Sequence, residues 1–167
     1  MRCPLTGLPS SSLFSDRLFR AMERMRRKTA YQFSVLFLDL DRFRIVNESL
    51  GHTAGNEVLR SVGERLSQCV RKVDSVTWFG RDEFIILLDD ISSHKDVLRV
   101  AERIQHRLAQ PFHLGKHEIF ISASIGIANS NPAYEAPEEM IRDAETAMYQ
   151  AKTERGAGYR VYDTDMH

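Results

Sequence analysis

Apolar positions along the chain recur with two periods, one near 3.6 residues and one near 2. Leu13, Phe14, Leu18, Ala21, Met22 and Met25 recur at helical spacing, which predicts a helix over 13–28. The run FSVLFLDL at 33–40 is continuously apolar and rich in branched and aromatic residues, which predicts a strand buried on both faces. Helical spacing returns at 54–70 through Val58, Leu59, Val62, Leu66 and Val70. Two short apolar runs, 73–79 and 84–88, flank GRDE and read as a hairpin. A helix is expected over 94–109, then strands at 110–114 and 117–128 joined by a turn at Gly115-Lys116. A last helix spans 136–154 and a short strand 159–163. Helices and strands therefore intermix around one sheet, and the tight hairpin makes it mixed or antiparallel rather than fully parallel. Residues 1–12, rich in Pro, Gly and Ser, read as a lead-in to a single domain over 13–163, with 164–167 beginning a linker.

Composition narrows the class. The 167 residues are enough for one domain with its own core, and 43% hydrophobic with 28% charged is ordinary for a soluble fold. With 23 basic and 23 acidic residues the formal charge is zero, which argues against a general nucleic-acid or membrane-surface binder. Cys3 and Cys69 lie far apart, so neither a disulfide framework nor a zinc site is expected, and the six histidines lack ligand spacing. No apolar run is long enough to span a bilayer and the N-terminus has no export signal, so a cytoplasmic domain is expected.

The candidate chemistry is carboxylate chemistry. Asp39 and Asp41 end the buried strand and share a face, because strand side chains alternate. Asp82 and Glu83 sit at the hairpin tip. If the hairpin lies beside the strand, the two sets converge into oxygen ligands suited to Mg²⁺ or Mn²⁺ and a triphosphate. On periodicity alone, the reading that these are solvated turn carboxylates stays open and is the commoner case.

The motifs add a resemblance. DLDRFRIVNESLGHTAGNEVL, then FGRDEF, resembles the GGDEF family of diguanylate cyclases, and CPLTGLP, SIGIA and AETAMYQAK match its opening, a core strand and its final helix in order. The family joins two GTP into cyclic di-GMP between two facing domains. The resemblance implies a mixed central sheet flanked by helices, like nucleotidyl cyclases and polymerase palms. It also implies metal ligation by Asp39, the Leu40 carbonyl and Asp82, with Asp82 assisting deprotonation of the ribose hydroxyl. Glu83 would support metal and phosphates, Arg44 would contact phosphate, Asn47 would read the guanine edge, and Lys152 would anchor the triphosphate.

Departures from the family pattern cluster on this machinery. Arg81 follows Gly80 where the signature has a second glycine, and a non-glycine residue in a left-handed conformation there costs roughly 1–2 kcal/mol. Asn56 stands where a second guanine-reading carboxylate is usual; an amide offers one acceptor and one donor, so one contact with guanine becomes a conflict. Trp78 replaces an arginine, Cys3 an aspartate and Ser10-Ser11 an Asn-Arg, and AKTERG shifts the arginine to Arg155, ahead of Gly156. Arg71 and Asp74 match an RxxD motif that forms a cyclic di-GMP inhibition site in the family; a simple surface ion pair is the competing reading. The ending YRVYDTDMH resembles proteins in which a GGDEF domain leads into an EAL phosphodiesterase domain, so a sensor before the chain and an EAL domain after it are expected. The expectation is a GTP- and Mg²⁺-binding regulatory domain with weak or no turnover. The alternatives are an active, homodimeric cyclase and a cyclic di-GMP receptor.

Overall fold

The computed structural model describes residues 2–154 and 158–163. A five-stranded sheet in the order β2-β3-β1-β6-β7 forms its centre. The strands are β1 (Ser34–Asp41), β2 (Ser75–Gly80), β3 (Glu83–Leu88), β6 (Ser122–Asn129) and β7 (Tyr159–Val161). β1 runs antiparallel to both β3 and β6, β2 is antiparallel to β3, and β7 is parallel to β6, so the sheet is mixed, one of the two arrangements the hairpin allowed. A separate two-stranded ribbon pairs β4 (Phe112–Leu114) with β5 (His117–Ile119).

Alternation along β1 divides the core in two. Leu36, Leu38 and Leu40 face one layer with α2 (Phe43–Leu50), α3 (His52–Cys69) and α4 (His94–Leu108). Val35 and Phe37 face the other, with α1 (Ser11–Arg27) and α5 (Pro137–Thr153). A central strand covered on both faces must be apolar throughout, which is why the run reads as continuous. α1 starts where Ser10 Oγ accepts from the Leu13 amide, and Glu139 folds back to accept the Glu135 and Ala136 amides ahead of α5. Leu8 of the lead-in is buried, and Thr77 Oγ1 donates to the Pro9 carbonyl beside edge strand β2.

One element is new and one expectation changes. The segment after β1 is an eight-residue helix, α2, kept separate from α3 by Gly51 at φ 88°. The expected strand over 117–128 is two strands: Phe120 and Ile121 break it, and β5 leaves the main sheet for β4. The expected linker at 164–167 lies outside the described residues.

α5 lies directly on β6. A Cβ on Gly126 would sit 1.9 Å from the Ala144 carbonyl oxygen and 2.2 Å from the Met148 nitrogen, so only glycine permits this approach. The helix therefore ends, with Lys152, over the end of the sheet where β1 finishes and β6 begins.

Candidate active site

That end of the sheet gathers the carboxylates. Asp39 and Glu83 are register partners across β1 and β3, and the Leu40 amide donates to the Asp82 carbonyl at 3.0 Å. Asp39 is 8% exposed, and its Oδ1 is buried without a hydrogen-bond partner. Burial, and then the charge of Asp82, push the Asp39 carboxyl up to about 7, and Lys152 only partly opposes them. Glu83 is also pushed upward, first by burial and then by Glu145 and Asp82. Crowded carboxylates whose charged forms are disfavoured are relieved by a proton or by a cation, and Lys152 supplies part of that relief.

The donor set fits a hard divalent cation. Asp39 Oδ1 and the Leu40 carbonyl on β1, with Asp82 in the turn that leads into β3, are oxygen donors of the kind Mg²⁺ takes. Among the described residues no three His, Cys, Asp or Glu side chains form a cage by themselves.

The hairpin tip is strained. Gly80 has φ 105° and Arg81 has φ 49°, a left-handed conformation on a non-glycine residue, at a register shift between Trp78 and Gly80. Trp78, in place of the family arginine, donates from its indole Nε1 to the Arg81 carbonyl at 3.0 Å and so holds the tip.

The other expected site residues divide. Lys152 Nζ lies 3.4 Å from Asp39 Oδ1 and 3.9 Å from Asp41 Oδ1. Asn47 packs its side chain across Gly55, where a Cβ would come within 1.9 Å of Oδ1, so α2 and α3 close around it. Asn56 is exposed at the next position of α3. Arg44 does not join the carboxylates; it lies exposed and pairs with Glu48 at 2.7 Å. Arg71 and Asp74 sit at the far end of β2 from the tip, roughly 20 Å along a six-residue strand. Asp74 is buried and accepts from the Arg71 and Asp89 amides, while Arg71 donates to Asp74 and to the Asp89 carbonyl. They border a cleft of about 330 Å³. Arg155 and Gly156 lie outside the described residues.

Sequence reasoning grouped Asp41 with Asp39 among the converging carboxylates but did not foresee its partners, and it gave no role to Ser122, Ser124 or Glu145. Ser122 Oγ donates to Asp41 Oδ2 and Ser124 Oγ to Asp41 Oδ1, both at 2.8 Å. Alternation in SASIG puts the two serines on one face, which was the available signal; the cross-strand register that brings them to Asp41 is tertiary.

Fold and site together define a palm-like mixed-sheet domain with a carboxylate cluster at one sheet end. The family model described as "Diguanylate cyclase, GGDEF domain" matches residues 2–157, and the chain belongs to that family. It is 37% identical over 163 residues to the bifunctional diguanylate cyclase/cyclic di-GMP phosphodiesterase MucR of Pseudomonas aeruginosa, covering 98% of this chain and 24% of MucR. It is 37% identical over 158 residues to the diguanylate cyclase TpbB of the same species, covering 94% of this chain and 36% of TpbB. A solved structure of the TpbB GGDEF domain superposes with a TM-score of 0.93 at 34% identity, covering 99% of this chain and 96% of that one. The chain thus spans about a quarter to a third of these curated relatives. It is a GGDEF domain related to the diguanylate cyclases of cyclic di-GMP signalling, a family that generally uses a divalent metal.

Proposed function

We propose that this domain binds GTP with Mg²⁺ or Mn²⁺ at the Asp39–Asp82–Glu83 end of the sheet and serves as a regulatory element of cyclic di-GMP signalling, with weak or no turnover. The observation that carries the reading is the buried Asp39 Oδ1, which lacks a hydrogen bond and has Lys152 as its ion-pair partner, beside Asp82 and next to a signature tip strained at Arg81. Asp39, Asp82 and the Leu40 carbonyl would hold the metal, which when bound would neutralise phosphate charge. Lys152 would offer a point charge to the triphosphate, and Glu83 would steady the acidic edge. Asn47 would present its amide to the base; Asn56, an amide rather than a carboxylate, cannot accept both guanine donors. Arg44, held by Glu48, would have to leave that pair to reach a phosphate. Arg81 would crowd the place where the family backbone approaches phosphate, which favours binding over turnover.

Cyclic di-GMP formation from GTP and Mg²⁺, followed by chromatography at high protein concentration, tests this beside the Arg81→Gly/Asn56→Asp double variant. Little or no product from the wild type and clear product from the double variant is the expected pattern. Robust product from the wild type would instead establish an active, dimerising cyclase. In a longer protein, a sensor and an EAL domain would be the covalent partners, and the domain would work in the cytoplasm; no helix among the described residues is long and apolar enough to cross a membrane.

A second reading, a cyclic di-GMP receptor, rests on Arg71, whose side chain is 55% exposed beside the small cleft. Asp74 is already committed to backbone amides, so it would orient Arg71 rather than meet a ligand. Arg71→Ala should abolish cyclic di-GMP binding in calorimetry while GTP binding persists; unchanged affinity would end this reading.

A further inference from the structure

Lys152 makes a contact that its expected phosphate role does not explain. Its ammonium bridges two carboxylates, 3.4 Å from Asp39 Oδ1 and 3.9 Å from Asp41 Oδ1. The Asp39 oxygen it approaches is the one without a hydrogen bond. Asp41 faces the lysine in a fixed position. Both its oxygens accept serine hydroxyls at 2.8 Å, one from each of Ser122 and Ser124 on β6. Hydroxyl donors hold a carboxylate in place and leave its charge available to the lysine. The lysine stem starts in the last turn of α5, where the helix dipole welcomes a cation, and Gly126 lets that helix lie against β6. Each part of the clamp is therefore set by rigid elements, and only the flexible lysine side chain is free to move.

We propose that Asp41, pinned by Ser122 and Ser124, is a positioning residue that parks the Lys152 ammonium on Asp39, so that Lys152 competes with the divalent cation for Asp39 Oδ1 until a nucleotide phosphate draws it away. The proposal rests on the reading of Asp39 as a metal ligand. Mg²⁺ or Mn²⁺ must approach a carboxylate oxygen to about 2 Å, and an ammonium a few ångströms away on the same oxygen opposes it by charge and by volume. A triphosphate offers Lys152 several anionic oxygens in exchange for Asp39 and Asp41. Metal and nucleotide therefore bind with positive linkage: each is weak alone, and each strengthens the other.

The test is Mn²⁺ alone, titrated into the folded chain with free Mn²⁺ read by electron paramagnetic resonance. Lys152→Met should bind Mn²⁺ about tenfold more tightly than wild type, the effect of removing one neighbouring charge from a partly buried site. Lys152→Arg, which keeps the charge, should stay close to wild type. Ser122→Ala/Ser124→Ala keeps every charge but frees Asp41, and should tighten Mn²⁺ by roughly threefold as the lysine is held less firmly. Melting curves confirm that each variant is folded. Unchanged or weaker Mn²⁺ affinity in Lys152→Met would overturn the competition. A serine double variant indistinguishable from wild type would overturn the role of Asp41. Asp39→Asn separates this proposal from the one beneath it: it should abolish binding. If Mn²⁺ persists in that variant, or binds no variant at all, the metal-site reading falls and this proposal with it.

Discussion

Arg81 shows how one side chain can set the state of a site. Its φ of 49° is the conformation for which the family uses glycine, and the sequence alone exposed the mismatch. The sequence did not show that Trp78 compensates by donating to the Arg81 carbonyl, because that bond closes only once the bulge brings positions 78 and 81 together. Arg81→Gly removes a left-handed penalty of about 1–2 kcal/mol but adds freedom to the unfolded chain, which takes back roughly 0.4–1 kcal/mol. The net expectation is a stabilisation of up to about 1.6 kcal/mol, read as a raised Tm; a lowered Tm would show that Arg81 makes contacts worth more than its strain. Trp78→Phe keeps the ring and loses the hydrogen bond, and should cost about 1 kcal/mol in denaturant unfolding. The same limit hid the serine clamp on Asp41: the residues were visible, and their meeting across β1 and β6 was not.

At the scale of elements, long periodic segments were legible and short ones were not. α1, α3, α4, α5 and the β2–β3 hairpin stand where hydrophobic period placed them. α2 escaped because its buried residues, Phe43 and Val46, are too few to set a period over eight residues. β5 and β6 were read as one strand because both are β-like, and only tertiary pairing decides that β5 belongs with β4. What holds that ribbon near the core also lay beyond the pattern. Arg65 of α3 donates to the carbonyls of Arg107, Gln110 and Pro111, and its guanidinium lies 3.6 Å from the centroid of the Phe112 ring. One side chain thus satisfies carbonyls at the end of α4 and covers the first residue of β4. Arg65→Ala leaves those carbonyls without this partner and should lower stability by about 2–4 kcal/mol. Arg65→Lys keeps the charge but cannot fork, and should recover less than half. A loss below 1 kcal/mol in urea unfolding would mean that water replaces the arginine.

The whole molecule carries a conflict between stability and site chemistry, and Asp39 is where it can be measured. Burial and Asp82 raise its folded pKa to about 7, against an ordinary value near 4 in the unfolded chain. A raised folded pKa means that the folded state holds the proton more tightly than the unfolded state does. The stabilising contribution is therefore complete below about pH 4 and is lost as pH rises to about 7. Above pH 7 the fold carries a charged carboxylate in a place that disfavours it, and Lys152 offsets only part of the cost. Asp39→Asn is neutral at every pH, so it should melt higher than wild type at pH 8, and the advantage should shrink steadily as pH falls to 5. Excess Mg²⁺ with GTP should act on wild type alone, raising its Tm at pH 8 and little at pH 5, where the proton blocks the oxygen a cation would use. A variant that melts lower than wild type at pH 8 would mean that the Asp39–Lys152 pair stabilises the apo fold more than burial and Asp82 strain it, and the acidic sheet end would then be structural before it is functional.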